Sequence, residues 1–508
     1  YDVTLQVVLK QRALTMLVGL AVIVGTGYMF VIVPKGFIPD QDTDQLTVTT
    51  EAAQGTSFDQ MSQLQAKVAE IVRKNENVDA MVSSVGGSGS ATLGGPNFGQ
   101  IVVHLKPRSE RKMLVTQVID QLRPQFDDLP GMRVYLQNPP TIRIGGQVSK
   151  SLYQMTLVSP NKADLYKTAE ELKKALEDVP GLDDLSSDLA ISSPQINVTI
   201  DRDRAAAVNV NANSIENAFY DAYGPRWVST IFAATNQYKV LLELKPEFQR
   251  DPRALSMLYF KAQNNQLIPL DSLATVKQEV GPQSISHFGQ LPAVTLSFNL
   301  KPGYSLGDVV QNVQNVAKDL LPPSVGVNFQ GAAKAFESSL SNLAILLVVA
   351  VLVVYIVLGI LYESYIHPLT ILSGLPSAGF GALLTLLLFH MELNIYAFVG
   401  LIMLIGIVQK NGIMQIDFAL DAERQGMTPM EAIYQGCLIR FRPIMMTTMA
   451  AMLGAVPIAL GYGAGGEARQ PLGLVVVGGL MFSQLITLYL TPVFYTYMAA
   501  LQAWLNRK

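Results

Sequence analysis

The chain has 508 residues, of which 49% are hydrophobic and 15% are charged, and its formal net charge is −3 at pH 7. With a mean hydropathy of +0.28, this composition indicates large water-facing parts joined to a membrane part, and the charge balance provides no basic surface for nucleic acid. Cys437 is the only cysteine, the four histidines show no metal-ligand spacing, and the sequence has neither a P-loop nor a GxGxxG before a helix, so an intrachain disulfide is excluded and nucleotide hydrolysis is not expected.

Six apolar runs are long enough to cross the ~30 Å hydrocarbon core of a bilayer at a helical rise of about 1.5 Å per residue. The first is too long, and too far from a small-residue cleavage site, for a signal peptide. The last is long for one span, so we expect its helix to be tilted or to continue beyond the bilayer. The runs cover residues 13–33, 341–362, 368–390, 395–420, 443–463 and 471–500.

Basic residues collect at one end of these predicted spans, which indicates the cytoplasmic side. Only Lys35 and Arg469 lie close to a span at the opposite end. We therefore predict that both termini are cytoplasmic, and that residues 34–340 and the glycine-rich loop 461–470 are exported. The basic residues at the cytoplasmic end are Lys10, Arg12, Arg424, Arg440, Arg442, Arg507 and Lys508.

The exported residues 34–340 carry nearly all of the charge and alternate short β-rich runs with amphipathic helical patterns. A first βαββαβ order lies within residues 46–137. A second begins at residue 153, includes the predicted strand QINVTIDR (195–202), and resumes at residue 293 after an insertion near 205–288. Such units form small α+β sandwiches, and the repeated order favours a duplication over two unrelated α+β domains.

A glycine-rich segment, Gly86–Gly99, interrupts the first of these units. Its six glycines leave the backbone unusually free. The segment is either a moving gate or a long flexible hairpin, and composition alone favours the hairpin.

Lys410 lies in the apolar run 395–420, about 15 residues from the start of the run. A charge near the centre of a bilayer costs about 3 kcal/mol or more, so the side chain must face protein or water. Asn411 follows directly, and Asp417 lies two turns further on. The pattern favours a lysine that pairs with groups moving protons, ions or substrate. The alternative is a lysine near a helix end that extends to the headgroups.

Several motifs resemble those of resistance-nodulation-division transporters. One span, about 300 exported residues and five further spans resemble half of such a protein. GIVQKNGIMQIDFAL (406–420) is similar to the tenth span of the family, and LIRFRPIMMTTMAAMLGAVPIAL (438–460) to the eleventh. Tyr362–Glu363–Ser364 and PVFY (492–495) also fit. The resemblance covers essentially the whole chain and fits the hydrophobe/amphiphile efflux branch in particular.

The resemblance implies the C-terminal half of a bacterial inner-membrane transporter. Its expected fold is a polytopic α-helical membrane domain of six spans, numbered seven to twelve in the family, plus an α+β periplasmic porter and docking domain made of βαββαβ units. The implied regions are 1–33 for a cytoplasmic amphipathic lead and the first span, 34–145 for the first porter subdomain, 146–204 and 289–340 for the two parts of the second porter subdomain, 205–288 for an inserted docking or funnel subdomain, and 341–508 for five transmembrane helices and the cytoplasmic tail.

The resemblance also implies a proton relay. In the family, a lysine at the position of Lys410 works with an arginine and a threonine of the eleventh span, and Arg440 and Thr447 occupy the matching positions. They are two helical turns apart and therefore share one helix face. The alternative for Arg440 is an anchor at the cytoplasmic helix end, and for Thr447 a hydroxyl bonded to its own helix backbone.

One departure from the family pattern concerns the acids of the relay. The family relay centres on two adjacent aspartates in the fourth span, and the adjacent pairs here, Asp127–Asp128 and Asp183–Asp184, lie in the exported region. Asp417 and Glu363 are the remaining acids near the membrane, and both are also explained as helix-end groups. The relay is therefore expected to need a second half that carries the paired aspartates, and the chain to be a fragment, a separate half or a product of a split protein.

A second departure concerns substrate contacts. Gly86–Gly99 matches the switch loop of the family, which carries phenylalanines in several drug pumps, whereas Ser88 and Ser90 stand at the matching positions here and Phe98 is the only aromatic residue. Ser88, Ser90 and Phe98 are the candidate substrate contacts. Tyr153 and Met155 are further candidates, although such residues on a strand are more often part of a core.

The function implied by the resemblance is proton-driven efflux of amphiphilic compounds, without covalent chemistry on the substrate and without a cofactor. The family works as a trimer with a periplasmic adaptor and an outer-membrane channel, so the same partners are expected here. One alternative is a protein-export auxiliary of the same superfamily, against which the tenth-span lysine argues. Another is a non-transporting subunit that docks the adaptor, which is favoured only if no half with paired aspartates exists.

Overall fold

The computed structural model describes residues 1–86, 95–126, 129–224, 226–262, 265–463 and 465–505, without the side chains at 340, 341 and 505. The chain begins with a short helix, α1 (Asp2–Lys10), followed by the long apolar helix α2 (Arg12–Ile32). Gly19 is the one buried residue of α2, and the others are exposed or half-buried, which suits a helix that faces lipid on much of its surface.

The first sheet contains four antiparallel strands in the order β2-β3-β1-β4, and two helices pack against it. Val48 lies opposite Ile101 on one neighbouring strand and Leu136 on the other, and all three are buried. Ser57 caps the first of the two helices by accepting a hydrogen bond from the backbone N–H of Gln60. The elements are β1 (Gln45–Ala52), α3 (Phe58–Arg73), β2 (Val78–Val85), β3 (Phe98–Leu105), α4 (Val115–Leu122) and β4 (Met132–Gln137).

The second sheet begins after a linker, and the chain leaves it for a separate compact unit, Ala190–Ile285, before returning. The first three elements are β5 (Tyr153–Val158), α5 (Lys162–Glu177) and β6 (Leu182–Ser187). The elements of the separate unit are β7 (Ser193–Ile200), α6 (Arg202–Ala207), α7 (Ala212–Tyr223), β8 (Arg226–Phe232), β9 (Gln237–Leu242), α8 (Pro246–Gln249), β10 (Tyr259–Lys261), β11 (Leu267–Pro269) and β12 (Ala274–Gly281).

The boundary of this separate unit differs from the predicted insertion, 205–288. The predicted strand QINVTIDR belongs to β7, which pairs along its whole length with β12 and therefore lies in the unit rather than in the second sheet. The alternating pattern of β7 predicts a strand correctly, but it contains no information about a partner that comes about 80 residues later in the chain.

The chain then completes the second sheet with β13 (His287–Phe288), β14 (Leu291–Leu300), α9 (Leu306–Leu320) and β15 (Gly326–Gln330). The strand order is β13-β14-β5-β15, and β6 pairs with β14. Met155 lies opposite Leu296 and Phe329 on the two neighbouring strands, and these three residues are buried in the core together with residues from α5 and α9.

Five further segments form the rest of the helical bundle: α10 (Gly331–Tyr362), α11 (Ile366–Leu372) with α12 (Leu375–Leu388), α13 (Ile395–Arg424), α14 (Pro429–Ala459) and α15 (Gly466–Leu505). Within the described ranges, these segments and α2 are the six helical regions long and apolar enough to cross a membrane. α14 begins well before the predicted run 443–463, because Thr428 caps its first turn and the helix continues through Arg440 and Arg442.

Candidate functional site

Lys410 is held on the outside of the bundle by the residue that follows it. Asn411 is 7% exposed, and its Nδ2 donates hydrogen bonds to Thr448 Oγ1 on α14 (3.0 Å) and Gln484 Oε1 on α15 (3.3 Å). These bonds fix the rotation of α13 at Asn411, and the side chain of the preceding residue, Lys410, is exposed. No ion pair among the described residues includes Lys410.

Arg440 and Thr447 lie at different levels relative to Lys410. The antiparallel packing of α13 and α14 places Thr447 beside the Asn411–Thr448 hydrogen bond and Arg440 beside Phe418, with the guanidinium 6.0 Å from the ring centroid. Phe418 comes eight residues after Lys410, a distance of about 12 Å along the helix. The structure therefore brings Thr447 to the level of Lys410 and leaves Arg440 roughly two turns away.

The Thr447 hydroxyl donates to the carbonyl oxygen of Ile444 on its own helix, at 3.2 Å. This is the contact expected from the alternative reading of Thr447, and it leaves the lone pairs of the hydroxyl oxygen free to accept a further hydrogen bond.

Asp417 and Glu363, the two acids weighed from the sequence as partners of Lys410, lie at a helix end. Asp417 Oδ1 accepts a hydrogen bond from the Tyr362 hydroxyl at 3.1 Å, which joins α13 to the last residue of α10. Glu363 follows α10 directly and adopts the left-handed conformation, with φ of 49°. Because Asp417 lies about 10 Å from Lys410 along α13, neither acid takes the position of a direct counter-ion.

Buried polar side chains behind Lys410 are a feature that sequence reasoning missed. Gln415 and Thr491 are fully buried, and neither Gln415 amide atom nor the Thr491 hydroxyl has a hydrogen-bond partner in the described structure. Nε2 of the buried Gln409 is also unpaired. The sequence contained one signal for these positions, namely glutamine and threonine side chains within apolar runs. Unpaired polar groups in a membrane bundle are costly, so these positions are suited to internal water.

A cavity of about 250 Å³ lies between the two sheets and the top of the helical bundle. Its wall is mixed, with aromatic, proline, aliphatic, hydroxyl and amide side chains and two charged ones, and it includes Phe98, Tyr153, Ile142, Pro140, Gln100, Tyr396, Asp40 and Arg143. Such a mixture suits a ligand with a large apolar body and a few polar groups.

The predicted substrate contacts have different positions in the structure. Phe98 and Tyr153 line the cavity, whereas Met155 is fully buried in the core of the second sheet. Ser88 and Ser90 lie outside the described residues, as do Asp127 and Asp128. Asp183 and Asp184, the other adjacent pair, form ion pairs with Arg123 at 3.0 and 2.8 Å.

The cavity is connected to α13 through backbone hydrogen bonds. The segment after α2 runs beside the loop before α13, where the Leu393 N–H donates to Pro34 O (2.8 Å) and the Ile395 N–H donates to Phe37 O (3.1 Å). Phe37 lines the cavity, and Ile395 is the first residue of α13. We call this contact between residues 33–41 and 391–395 the membrane junction.

Acidic side chains collect at the membrane junction. The Glu392 carboxylate lies against Gly36, where a Cβ atom would collide with it. Burial, and then the nearby charges of Asp40 and Asp308, raise the pKa of Glu392 to about 7. Burial also raises the pKa of Asp40. The junction therefore contains a carboxyl that changes its charge near neutral pH.

No group of three or more His, Cys, Asp or Glu side chains in the described ranges is arranged to hold a metal ion. The acids at the junction and the ion-paired aspartates of the second sheet therefore do not form a metal-binding cluster of that kind.

A family model described as the AcrB/AcrD/AcrF family matches residues 1–499. The chain therefore belongs to this family of resistance-nodulation-division transporters, as the tenth- and eleventh-span motifs predicted.

Two crystal structures of a heavy metal efflux pump share the fold. Crystal form II has a TM-score of 0.87 and 24% identity, and crystal form I has a TM-score of 0.86 and 25% identity. Each match covers 98% of this chain and 52% of the other chain, so this chain spans about half the length of the solved structures it matches. These similarities support a membrane domain joined to separate β-sheet regions, and they do not favour the protein-export alternative.

Proposed function

We propose that this chain forms one half of a proton-driven efflux pump of the bacterial inner membrane. In this proposal the six helical regions are spans, both termini are cytoplasmic, and the two β-sheet units are periplasmic porter subdomains of βαββαβ type. The unit Ala190–Ile285 forms part of a docking funnel. A second half with paired aspartates completes the relay, and three complete pumps assemble with a periplasmic adaptor and an outer-membrane channel.

The observation that carries this proposal is the membrane junction. Phe37 contributes both to the cavity wall and to a backbone hydrogen bond with Ile395, where the helix that carries Lys410 begins. Lys410 lies fifteen residues further along, about 22 Å by the helical rise. A shift or rotation of α13 that follows a change of charge at Lys410 is therefore transmitted directly to the cavity.

In the proposed relay, Lys410 pairs with the aspartates of the second half and releases them when they become protonated. Thr447 accepts or donates a hydrogen bond at the same level, and Arg440 acts towards the cytoplasmic end. The exposure of Lys410 in this chain supports such a pairing, because the side chain is available to a neighbouring element.

We propose an organic amphiphile as the substrate, since the cavity wall combines apolar and amide side chains. The two solved structures described as a heavy metal efflux pump make a metal cation the competing candidate. A resistance profile of a strain with and without the complete pump separates the two. Protection against detergents and dyes supports the amphiphile, and protection against metal salts alone contradicts it.

The experiment that tests the proposed relay is Lys410→Ala in the complete pump. We expect loss of proton-coupled efflux with unchanged expression and assembly, since the aspartates lose the cation that responds to their protonation. Lys410→Arg is also expected to fail, because a planar guanidinium does not replace a compact ammonium group.

The matched control is Arg424→Ala. It removes a basic residue from the end of the same helix, where Arg424 forms only an exposed pair with Asp421 at 3.4 Å. The control is expected to retain efflux. Efflux that persists in Lys410→Ala at the level of the control would contradict the assignment of Lys410.

A further inference from the structure

A buried ion pair links the two sheets at a point that no part of the relay uses. Lys150 lies in the linker between β4 and β5, its side chain is only 6% exposed, and its Nζ is 2.7 Å from Glu51 Oε1 on β1. The Tyr135 hydroxyl on β4 donates to the other oxygen of Glu51 at 3.0 Å. Burial lowers the pKa of Lys150, while the Glu51 carboxylate opposes this effect.

The same ammonium group also contacts the second sheet. Lys150 Nζ donates to the carbonyl oxygen of Ser187 on β6, at 3.2 Å. One cation therefore holds β1 and β4 of the first sheet against the last residue of β6. Its three N–H donors allow both contacts at once.

Lys150 further contacts the aromatic residue that lines the cavity. Its Nζ lies 5.0 Å from the ring centroid of Phe98 and 5.9 Å from that of Tyr135, both within the range of a cation–π contact. Phe98 lines the cavity, while Lys150, Glu51 and Tyr135 line a second depression. Lys150 thus lines one space and, through its ammonium group, contacts a ring in the wall of the other.

We propose that Lys150 is a positioning residue for the transport cavity. It fixes Phe98 in the wall and clamps the first sheet to the second, and separation of Lys150 from Glu51 opens the wall between the two spaces. We name Lys150, Glu51, Tyr135 and Phe98 the interdomain clamp. The inference rests on the proposed function, since it assigns a gating step to the cavity of the pump.

The choice of a buried ion pair for this role has a physical reason. A well-packed apolar contact would stabilise the wall as effectively, but it would not release in response to charge. Removal of Glu51 leaves the buried Lys150 ammonium without its carboxylate, and removal of Lys150 takes away the only group of this pair that contacts Ser187, so the closed arrangement is lost when either side chain changes.

The test measures the separation of the two sheets directly in the complete pump in membrane vesicles. In a cysteine-free background that includes Cys437→Ala, cysteines at the exposed Lys67 on α3 and Lys174 on α5 carry spin labels, and their distance distribution is recorded without substrate. We expect one narrow distribution for the parent and a broader one, shifted by several ångströms, for Lys150→Met. Lys167→Met, which breaks an exposed pair with Glu171 at 3.9 Å, is the control and leaves the distribution unchanged.

A conservative variant separates the clamp from a general loss of stability. Lys150→Arg keeps a cation that can donate to both the Glu51 carboxylate and the Ser187 carbonyl oxygen, and we expect the narrow distribution to be retained. Phe98→Leu keeps the ion pair, so the distribution stays narrow while efflux falls several-fold because the wall loses its ring. Unchanged distances in Lys150→Met, or a distribution in Lys150→Arg as broad as that of Lys150→Met, would overturn the clamp whatever the efflux result. If the parent pump shows no efflux, the proposed function is wrong. The spin-label distances still test the interdomain clamp in that case.

Discussion

Glu392 shows how the fold creates a titrating group that the sequence does not reveal. The residue stands in a short loop between two apolar runs, where a glutamate is expected to be hydrated. In the structure it lies beside Gly36, Asp40 and Asp308, which come from distant parts of the chain. Burial and two like charges both disfavour its ionised form.

Replacement of this carboxyl by a neutral amide is expected to change the pH dependence of stability. Below about pH 4.5 Glu392 is protonated in the folded and the unfolded chain and has no differential effect. As the pH rises towards 7 only the folded state keeps the proton, and above 7 the folded state contains a buried carboxylate. The wild type should thus lose stability between pH 5 and 8 relative to Glu392→Gln, by on the order of 2 kcal/mol.

The apparent melting temperature in detergent, recorded across this pH range, checks the expectation. Glu171→Gln removes an exposed carboxyl from α5 and serves as the control. If the melting temperatures of the wild type and Glu392→Gln changed in parallel with pH, ionisation of Glu392 would carry no free-energy cost in the folded protein. That result would contradict the prediction.

Individual residues differ in how far the sequence predicted them. Lys410 could be singled out because a charge in an apolar run is costly wherever the neighbours lie, and its role in a relay stays a prediction. Phe98 was a candidate through the resemblance of Gly86–Gly99 to the switch loop, and its role in substrate contact also stays a prediction. The clamp was not predictable, since Glu51 and Lys150 come together only when the linker folds back across β1. Unpaired Gln415 was missed because its burial depends on how three helices pack.

At the scale of elements, close helix packing depends on glycines in α15. A Cβ atom at Gly473 would collide with the backbone of Ala459 and Ile458 on α14. One at Gly479 would lie 2.5 Å from the Leu404 side chain on α13. Small residues at such positions let membrane helices approach closely, which is a main source of their association.

Gly473→Ala is therefore expected to force α14 and α15 apart and to lower thermal stability by about 1–3 kcal/mol, the range for overpacking. Gly406→Ala on α13 is the matched control, because nothing lies within 4 Å of a Cβ atom there. The control should be neutral or slightly stabilising, since alanine has a higher helix propensity than glycine. Equal melting temperatures for the two variants would contradict the close packing of α14 and α15.

Elements with a strong local hydrophobic pattern were predicted well, whereas the pairing of strands within sheets was not. The apolar runs located the helical regions, because each hydrophobic segment identifies itself without reference to the rest of the chain. The strand β7 was predicted as a strand but placed in the wrong sheet, since its partner β12 is remote in sequence. The early start of α14 was also missed, because a hydropathy pattern does not report polar helical turns beyond an apolar run.

At the scale of the whole molecule, the chain has a cavity, a helix with a membrane lysine, and a junction that connects them. Its length is about half that of the solved structures it matches, and no ion pair in the described part of the chain includes Lys410. We therefore assign the paired acids of the relay to a second half, and the transmission of their charge state to α13. Both assignments depend on Lys410, because this residue lies on α13 and is the proposed partner of those acids.

Substrate-dependent proton flux tests this central claim most directly. The complete pump is placed in vesicles with a pH indicator inside, and the pH change on addition of substrate is recorded for the wild type, Lys410→Ala and Arg424→Ala. We predict a substrate-dependent pH change for the wild type and Arg424→Ala, and none for Lys410→Ala, although that variant still binds substrate. A pH change of wild-type size in Lys410→Ala would contradict the account.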